Sequence, residues 1–465
     1  MAGEQSREDD VARTLETVWR MESPRLVAVA TRITGDVAQA EDAAQDAFEA
    51  ALQRWPATGI PRNPGAWLTA VTKRRAVDTV RRGETAQRKA VDLGHELTLR
   101  EPDADELDAA LDEAAIDDDL LRLIFICCHP VLSVDSRVAL TLRLLGGLRT
   151  DEIARAFLAR ETTIGQRISR AKRTISEARV PFEVPRGADF DDRLGSVLGV
   201  IYLIFNEGYT ATAGDDWLRP ALLEAALRLG RILAGLVPDE PEVHGLVALM
   251  EIGSSRVGAR TDPASGNPIP LLEQRRSRWD GVLIERGLRA LERADALPGP
   301  RGSYTLQAAI AASHARARTP DETDWPAIVA LYDALVAVSP SPVVELNRAV
   351  AVSQAEGPAA GLELVEALAD EPALASYHLL PAVRGDLLRR LGRRGEASEE
   401  LARAASLTRT AAERRQLLDR PRRLSRSCWR RPPGPRGAWR CTPRAAGGSR
   451  RPRARPSHPT GSRPS

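Results

Sequence analysis

Residues 150–178 have the sequence TDEIARAFLARETTIGQRISRAKRTISEA, which predicts two helices joined by a short turn. In the first helix, Ile153 and Ala154 lie on an apolar inner face, and the small side chain of Ala154 allows a second helix to cross closely. Thr150 is in position to cap this helix, just ahead of two acidic residues that favour its dipole. The second helix begins near Thr163, so the stretch has the layout of a helix-turn-helix.

The second of these helices divides into an apolar and a polar face. Ile164, Ile168, Ala171 and Ile175 recur at helical spacing and are expected to face the core. The polar and basic side chains are suited to base edges and phosphates, as in a recognition helix; the alternative is an ordinary basic amphipathic helix. The candidate DNA-binding residues here are Thr162, Thr163, Gln166, Arg167, Arg170, Lys172 and Arg173.

The turn between the two helices departs from the usual pattern. The position that commonly holds glycine is occupied by Leu158. A left-handed backbone there costs a non-glycine residue about 1–2 kcal/mol. Either the turn is built differently or the protein accepts that cost.

Helical periodicity continues on both sides of this motif, and strand-like alternation is almost absent, so we predict an all-α protein. Upstream, Gly35 is expected to end one helix, and a loop rich in Pro and Gly precedes a helix over residues 66–82 that ends in basic residues. Downstream, the helical segments are rich in Ala and Leu.

Three segments near the C-terminus resemble one another loosely, namely residues 329–340, 361–372 and 399–407. Their spacing of about 32–37 residues is close to the tetratricopeptide (TPR) period of about 34 residues. Each unit would be a helix pair that buries its apolar face against its neighbours. A generic helical array is the alternative.

The net charge of +2 conceals two unlike parts. Residues 421–465 contain 13 Arg, 9 Pro and no acidic residue, whereas residues 1–420 hold 53 basic and 64 acidic residues, a net charge of −11. The tail is expected to be disordered. Three explanations stay open for it: a basic DNA-binding arm, a plain disordered end, or a frame-shifted read-through of GC-rich DNA.

Composition and motifs exclude several classes of protein. No run of 18 apolar residues is present and the N-terminus is polar and acidic, so neither a membrane span nor a signal peptide is predicted. Four cysteines in 465 residues indicate a reducing, cytoplasmic setting, with Cys127 and Cys128 expected to be buried thiols. No phosphate-binding loop, His-Glu-x-x-His or nucleophile elbow occurs, so we predict no enzyme, no cofactor and no metal.

Three segments together resemble bacterial sigma factors of the extracytoplasmic-function (ECF) group. Residues 163–172 (TIGQRISRAK) are similar to the recognition helix of sigma region 4. Residues 40–48 (AEDAAQDAF) resemble the region 2 helix that docks on the clamp helices of RNA polymerase, and residues 67–82 (WLTAVTKRRAVDTVRR) resemble the promoter-melting segment that follows. These motifs occur in the family's order, so the resemblance implies core RNA polymerase and promoter DNA as partners.

The resemblance also assigns candidate residues in region 2. A stripe of acidic and amide side chains at positions i, i+3, i+4 and i+7 of one helix would contact polymerase. It consists of Asp42, Gln45, Asp46 and Glu49. The alternative is that this stripe is a solvated helix face. A basic helix with one aromatic residue would bind single-stranded DNA through phosphates and base stacking, although core burial of the aromatic ring is the alternative. Those residues are Trp67, Lys73, Arg74, Arg75, Arg81 and Arg82.

Further segments resemble an ECF subgroup with a DUF6596-type middle domain and a long TPR-like C-terminal extension. They are residues 202–209 (YLIFNEGY), 278–280 (RWD), 324–325 (DW) and 347–350 (NRAV). The resemblance implies that the extension regulates activity and binds a peptide or protein partner. Taken alone, Asn206, Glu207, Tyr209 and Trp279 could form a polar pocket or could be helix caps and interface residues.

The predicted function is that of a sigma factor, with region 2 melting the minus-ten element and region 4 reading the minus-thirty-five element. The alternatives are a helix-turn-helix regulator and a TPR-type scaffold. The predicted divisions are residues 10–83 for the region 2 bundle, 84–119 for an acidic linker, 120–182 for region 4, 186–300 for a helical domain, 301–420 for TPR-like repeats and 421–465 for a disordered basic tail.

Overall fold

The computed structural model describes residues 2–88, 113–209, 218–262 and 268–408, together with residues 414, 417 and 418. Across these residues the chain is helical and forms no β-strand, which confirms the all-α prediction. The helices are α1 (Ala2–Thr34), α2 (Val37–Thr58), α3 (Pro64–Arg88), α4 (Glu113–Cys127), α5 (Val134–Leu144), α6 (Thr150–Ala156), α7 (Glu161–Glu177), α8 (Ala188–Tyr209), α9 (Pro220–Leu236), α10 (Pro241–Ser255), α11 (Gly281–Ala296), α12 (Ser303–Arg316), α13 (Trp325–Val338), α14 (Pro342–Ala355), α15 (Pro358–Ala367), α16 (Leu379–Arg390) and α17 (Arg394–Leu407).

The corner between α1 and α2 follows directly from local sequence. Gly35 adopts a φ of +67°, and its N–H donates to the carbonyl of Thr31 at 2.8 Å. Asp36 then caps α2, because its Oδ1 accepts from the N–H of Ala38 at 2.8 Å. The predicted helix end at Gly35 is therefore confirmed.

The helix-turn-helix forms as α6, a tight turn and α7. The expected cap at Thr150 is wrong, because α6 begins at that residue and the N–H of Arg149 donates to Oε2 of Glu152 at 2.8 Å. Leu158 adopts a left-handed φ of +49° with its side chain 61% exposed. The turn therefore has the left-handed backbone that is usual at this position, and a non-glycine residue adopts it despite the cost in conformational energy.

One continuous apolar core joins the helices from α1 to α10. It includes Trp55 from α2, Phe125 from α4 and Ile153 and Ile164 from the helix-turn-helix, all almost fully buried. Cys127 and Cys128 lie in this core, as expected for structural thiols. The consequence for function is that α7 packs against α2 instead of standing apart from it.

Helices enter the predicted acidic linker from both ends. Helix α3 extends to Arg88 and α4 begins at Glu113, so part of the predicted linker 84–119 is helical. Asp119 is buried and binds the guanidinium groups of Arg32 at 3.1 Å and Arg122 at 2.9 Å. Asp119 is flanked by other acidic residues in the sequence, so its position in the core could not be recognised from the sequence. Residues 89–112 lie outside the described residues.

The C-terminal part is a row of helices in which each contacts the next, from α12 to α17. The three loosely similar segments fall on α13, α15 and α17, that is, on alternate helices, as repeats of a helix pair would require. Small apolar clusters join successive helices of the row, such as that of Leu346 on α14, Leu362 on α15 and Leu387 on α16. The TPR assignment itself stays a prediction, and the tail 421–465 lies outside the described residues.

Candidate nucleic-acid and polymerase interface

The polar face of α7 is open to solvent over most of its length. Ile164, Ile168, Ala171 and Ile175 are buried beneath it, as helical spacing predicts. Five of the seven DNA-binding candidates are exposed: Thr162, Thr163, Gln166, Arg170 and Arg173. These side chains present hydroxyl, amide and guanidinium groups along one side of a rigid helix, which is the set of donors that base edges and phosphates accept.

Two arginines on this face take part in surface ion pairs. Arg167 lies 3.3 Å from Asp135 of α5, and Arg173 lies 3.6 Å from Glu177. Both acidic partners are about 70% exposed, at 72% and 70%. Exposed pairs of this kind contribute about 0–1 kcal/mol, so phosphate can compete with them.

Lys172 is placed differently from the prediction. Its side chain is only 15% exposed, and its ammonium group forms an ion pair with Oε2 of Glu41 on α2. In this arrangement it therefore contacts protein, and a DNA contact through Lys172 stays a prediction that requires the ion pair with Glu41 to open. Its spacing could have indicated this, because Lys172 is four residues after Ile168 and three before Ile175, next to the buried face.

Glu41 is a residue that the sequence analysis missed. Its side chain is 5% exposed, and its Oε1 accepts from Nε of Arg143 at 2.7 Å and from Nε2 of Gln45 at 3.0 Å. Burial alone would raise the pKa of Glu41, but Lys172 and Arg143 together outweigh it and hold the pKa below its ordinary value. One carboxylate thus binds two cations from the helix-turn-helix domain.

The predicted polymerase stripe on α2 is exposed as a unit. Asp42, Gln45, Asp46 and Glu49 all face solvent on one side of the helix. Burial raises the pKa of Asp42, with Glu41 and Asp46 adding to the effect and Lys172 opposing it. The stripe begins beside the contact with α7, so a partner bound to it would approach the helix-turn-helix domain as well.

The candidate residues on the basic helix α3 differ in exposure. Trp67 is 7% exposed and packs edge-to-face on Trp55 with ring centroids 5.6 Å apart, so in this arrangement its ring belongs to the core, the alternative that the sequence also allowed. Three basic residues near the middle of the helix are half-buried, and two residues about two turns further on are exposed. These are Lys73, Arg74 and Arg75, followed by Arg81 and Arg82.

A second contact holds the helix-turn-helix domain against the N-terminal bundle. Arg20 of α1 lies 3.2 Å from Glu152 of α6. Beside it, Gly147 has a φ of +65°, and a Cβ there would lie 3.2 Å from the Cα of Arg20. Arg228 of α9 donates to the carbonyl of Gly146. The turn before α6 is therefore clamped between the N-terminal bundle and the middle domain.

Two negative findings apply to the described part of the chain. No helix there is long and apolar enough to cross a membrane. In the same residues, no three His, Cys, Asp or Glu side chains are grouped so as to hold a metal ion.

Three family models match successive parts of the chain. Residues 18–85 match sigma-70 region 2, and residues 122–175 match sigma-70 region 4. Residues 193–295 match a family of unknown function, DUF6596. The first two matches cover α2, α3 and the helix-turn-helix, where the exposed polar and basic faces lie.

Similar proteins support the same division. The chain is 43% identical over 394 residues to an uncharacterised protein of Rhizobium meliloti (strain 1021), covering 84% of this chain and 91% of that protein. It is 31% identical over 172 residues to the probable ECF RNA polymerase sigma factor SigI of Mycobacterium tuberculosis, covering 37% of this chain and 57% of SigI.

A third relative, the probable RNA polymerase sigma factor RfaY of Xanthomonas campestris pv. campestris, is 29% identical over 209 residues. That match covers 44% of this chain and 48% of RfaY. The chain thus spans about half the length of the relatives named as sigma factors. No solved structure matches the chain significantly.

Proposed function

The chain belongs to the ECF sigma factors that carry a DUF6596 region, and we propose that it directs core RNA polymerase to promoters whose minus-thirty-five element is read by α7. The observation that carries this proposal is the exposed donor face of α7. Gln166 and Arg170 project from a helix whose opposite face is locked into the core by Ile164 and Ile168. Such a helix fits the major groove as a rigid unit.

Base contacts and phosphate contacts have different roles on this helix. Arg170 is suited to a bidentate contact with guanine, which discriminates by about 1–3 kcal/mol. Arg173 and the hydroxyl groups near the start of α7 supply phosphate contacts, which position the helix but carry no sequence information. Specificity therefore rests on few side chains.

The stripe of Asp42, Gln45, Asp46 and Glu49 is the proposed site for polymerase. Its four side chains are exposed on a helix whose other face is packed into the core, so the stripe is presented without rearrangement. An acidic stripe complements a basic partner surface and speeds encounter with it. The proposed role of the chain is to bind polymerase and DNA, and the chain itself carries out no reaction. The proposed location of the protein is the cytoplasm, where RNA polymerase is found.

The end of α3 is the proposed contact for the minus-ten element. Arg81 and Arg82 are exposed there, and the half-buried Lys73, Arg74 and Arg75 extend the basic surface towards the core. These cations can follow the phosphates of a single strand. With Trp67 in the core, base stacking is not part of this proposal.

Both promoter elements can be engaged only if α7 leaves α2. The minus-ten and minus-thirty-five elements lie about 25 base pairs apart, roughly 85 Å at ~3.4 Å per base pair. In the structure, Lys172 and Glu41 hold the two DNA-binding regions in direct contact. The intervening residues 89–112 would reach about 80 Å if fully extended. We infer that the packed form is an inactive one.

The negative charge of residues 1–420 favours a fixed order of binding to polymerase and to DNA. Residues 1–420 carry a net charge of −11, which opposes binding to DNA by the free protein. Polymerase would bind first, and the promoter second. The C-terminal helix row would regulate this step by binding a peptide or protein partner.

A gel-shift experiment tests this order of assembly. Promoter DNA is titrated with the full chain, with and without core polymerase. The proposal predicts a specific complex only when polymerase is present. Tight promoter binding by the chain alone would contradict it.

A further inference from the structure

Region 4 meets region 2 through pairs of opposite charges. Lys172 and Arg143 bind the carboxylate of Glu41 on α2, and Glu152 of α6 lies 3.2 Å from Arg20 of α1. We call these pairs the ionic seam. When ion pairs separate, both charges return to water, and the recovered hydration offsets much of the lost attraction. The polar part of this contact is therefore reversible.

The middle domain, which comprises helices α8 to α11 over residues 188–296, contacts region 4 in a different way. Arg193 of α8 donates to the carbonyl of Phe125 at 3.0 Å, and Oγ of Ser196 donates to the carbonyl of Cys128 at 2.9 Å. Both carbonyls lie at the end of α4, where a helix has no further N–H groups of its own to bind them. Helix α8 thus completes the hydrogen bonding of a region 4 helix.

Aromatic and apolar side chains close the same interface. The ring centroids of Phe125 and Phe190 lie 5.6 Å apart, and Phe125 is fully buried. The connector from α7 to α8 is packed as well, because Val180, Phe182 and Val184 lie against the apolar core. Separation of the middle domain from region 4 would expose these side chains to water, which is unfavourable and is not offset by the hydration of charges.

The turn before α6 shows which neighbour attracts the middle domain. Arg228 of α9 donates to the carbonyl of Gly146, whereas Arg20 of α1 lies beside the next residue, Gly147. Burial lowers the pKa of Arg228, and the like charge of Arg20 lowers it further, with Glu224 opposing. A hydrogen bond therefore holds α9 to region 4, while the interaction of Arg228 with Arg20 of region 2 is repulsive.

We propose that the middle domain is a structural part of region 4, and that the two leave region 2 together, as one rigid body, along the ionic seam. This inference rests on the proposed function only in that α7 has to leave α2. It gives the DUF6596 region a role, which is to carry the helix-turn-helix and to join it to the C-terminal helix row, since α12 packs against α10. A partner bound to that row would act on the position of α7 through a continuous solid connection.

Pulsed electron paramagnetic resonance on spin-labelled full-length protein measures both interfaces. Cys428 and Cys441 are replaced by Ser, the two buried cysteines are kept, and labels are attached to cysteines introduced at exposed positions. The pair Ala57→Cys and Ser176→Cys spans the seam between α2 and α7. The pair Ser176→Cys and Glu285→Cys spans region 4 and the middle domain.

The seam is loosened by combining Glu41→Gln with Glu152→Gln, which removes the anions from its ion pairs. We expect the distance across the seam to lengthen by at least about 10 Å, the diameter of one helix, in a fraction of the molecules. The distance between region 4 and the middle domain should stay within about 2 Å of its wild-type value. Glu363→Gln combined with Glu399→Gln is the matched control, because both residues are exposed on helices of the C-terminal row. It should leave both distances unchanged.

Two further measurements keep the test decisive. Circular dichroism checks the fold of each variant, and wild-type protein in about 1 M NaCl, which screens charges beyond roughly 3 Å, should show the same lengthening across the seam. A longer distance between region 4 and the middle domain, with or without opening of the seam, would overturn the proposal, and so would no change in either distance. Core polymerase is then added to wild-type protein. If polymerase leaves the seam closed while the loosened variant opens it, the proposed function fails and the present inference stands.

Discussion

Lys172, on the same helix as the exposed Arg170, forms an ion pair with the buried carboxylate of Glu41 on α2, 131 residues away in the sequence. Arg143 binds the other oxygen of that carboxylate at 2.7 Å. The proposed recognition helix α7 and helix α2, which carries the proposed polymerase stripe, are therefore joined through the side chain of Glu41. Whatever separates the two regions has to break this contact.

Replacing Glu41 should destabilise the packed form. Glu41→Gln preserves shape but leaves Lys172 and Arg143 without their anion in a largely buried place, so we expect the free energy of unfolding to fall by about 3 kcal/mol. Denaturant unfolding followed by circular dichroism measures this. Glu49→Gln on the exposed side of α2 is the control, with a change within about 0.5 kcal/mol. Equal stability of the two variants would show that the contact contributes nothing.

The contribution of Glu41 should depend on pH in a defined direction. The pKa of Glu41 is held below its ordinary value of 4.5, because Lys172 and Arg143 outweigh the effect of burial. A lowered folded-state pKa gives stability that is present above about pH 4.5 and is lost as pH falls through the folded value. The difference in unfolding free energy between wild type and Glu41→Gln should therefore shrink between pH 6 and about pH 3. A difference that grows on acidification would contradict the assignment.

Arg170 and Lys172 should behave differently in promoter recognition, although both are basic and lie on α7. Arg170→Ala removes an exposed donor and should lower promoter-specific transcription about tenfold or more, with relaxed preference at one base pair of the minus-thirty-five element. Lys172→Ala removes a cation that faces Glu41, so base preference should be unchanged. Transcription from promoters with single-base changes measures both. A shift in base preference for Lys172→Ala would mean that it reaches DNA.

Charge reversal on the stripe of α2 should weaken binding to core polymerase without unfolding the chain. Asp46→Arg changes an exposed residue, so the unfolding free energy should move by less than about 0.5 kcal/mol. Affinity for core polymerase, measured by fluorescence anisotropy, should fall about tenfold, because like charges would meet at the interface. Glu285→Arg on α11 is the matched control, since Glu285 is also an exposed acidic residue on a helix, at 70%. Unchanged affinity for Asp46→Arg would place the polymerase site elsewhere.

Sequence patterns predicted the features that local spacing determines. The buried isoleucines of α7, the helix end at Gly35 and the all-α fold each depend on residues a few positions apart. The left-handed turn at Leu158 was one of two options that local chemistry left open. The contacts of Lys172 and Trp67 in the packed form could not be predicted, because distant residues make them: Glu41 and Trp55 both lie on α2. Periodicity cannot reveal such contacts.

Run-off transcription with purified core polymerase tests the central claim most directly. Core polymerase free of other sigma factors is mixed with the full chain and fragmented genomic DNA of the source organism, and transcript starts are mapped. Our account predicts discrete start sites that share one upstream motif, that need the chain, and that are lost with Arg170→Ala while Arg289→Ala retains them. Transcripts that appear only after another sigma factor is added, or that core polymerase makes equally well alone, would contradict it.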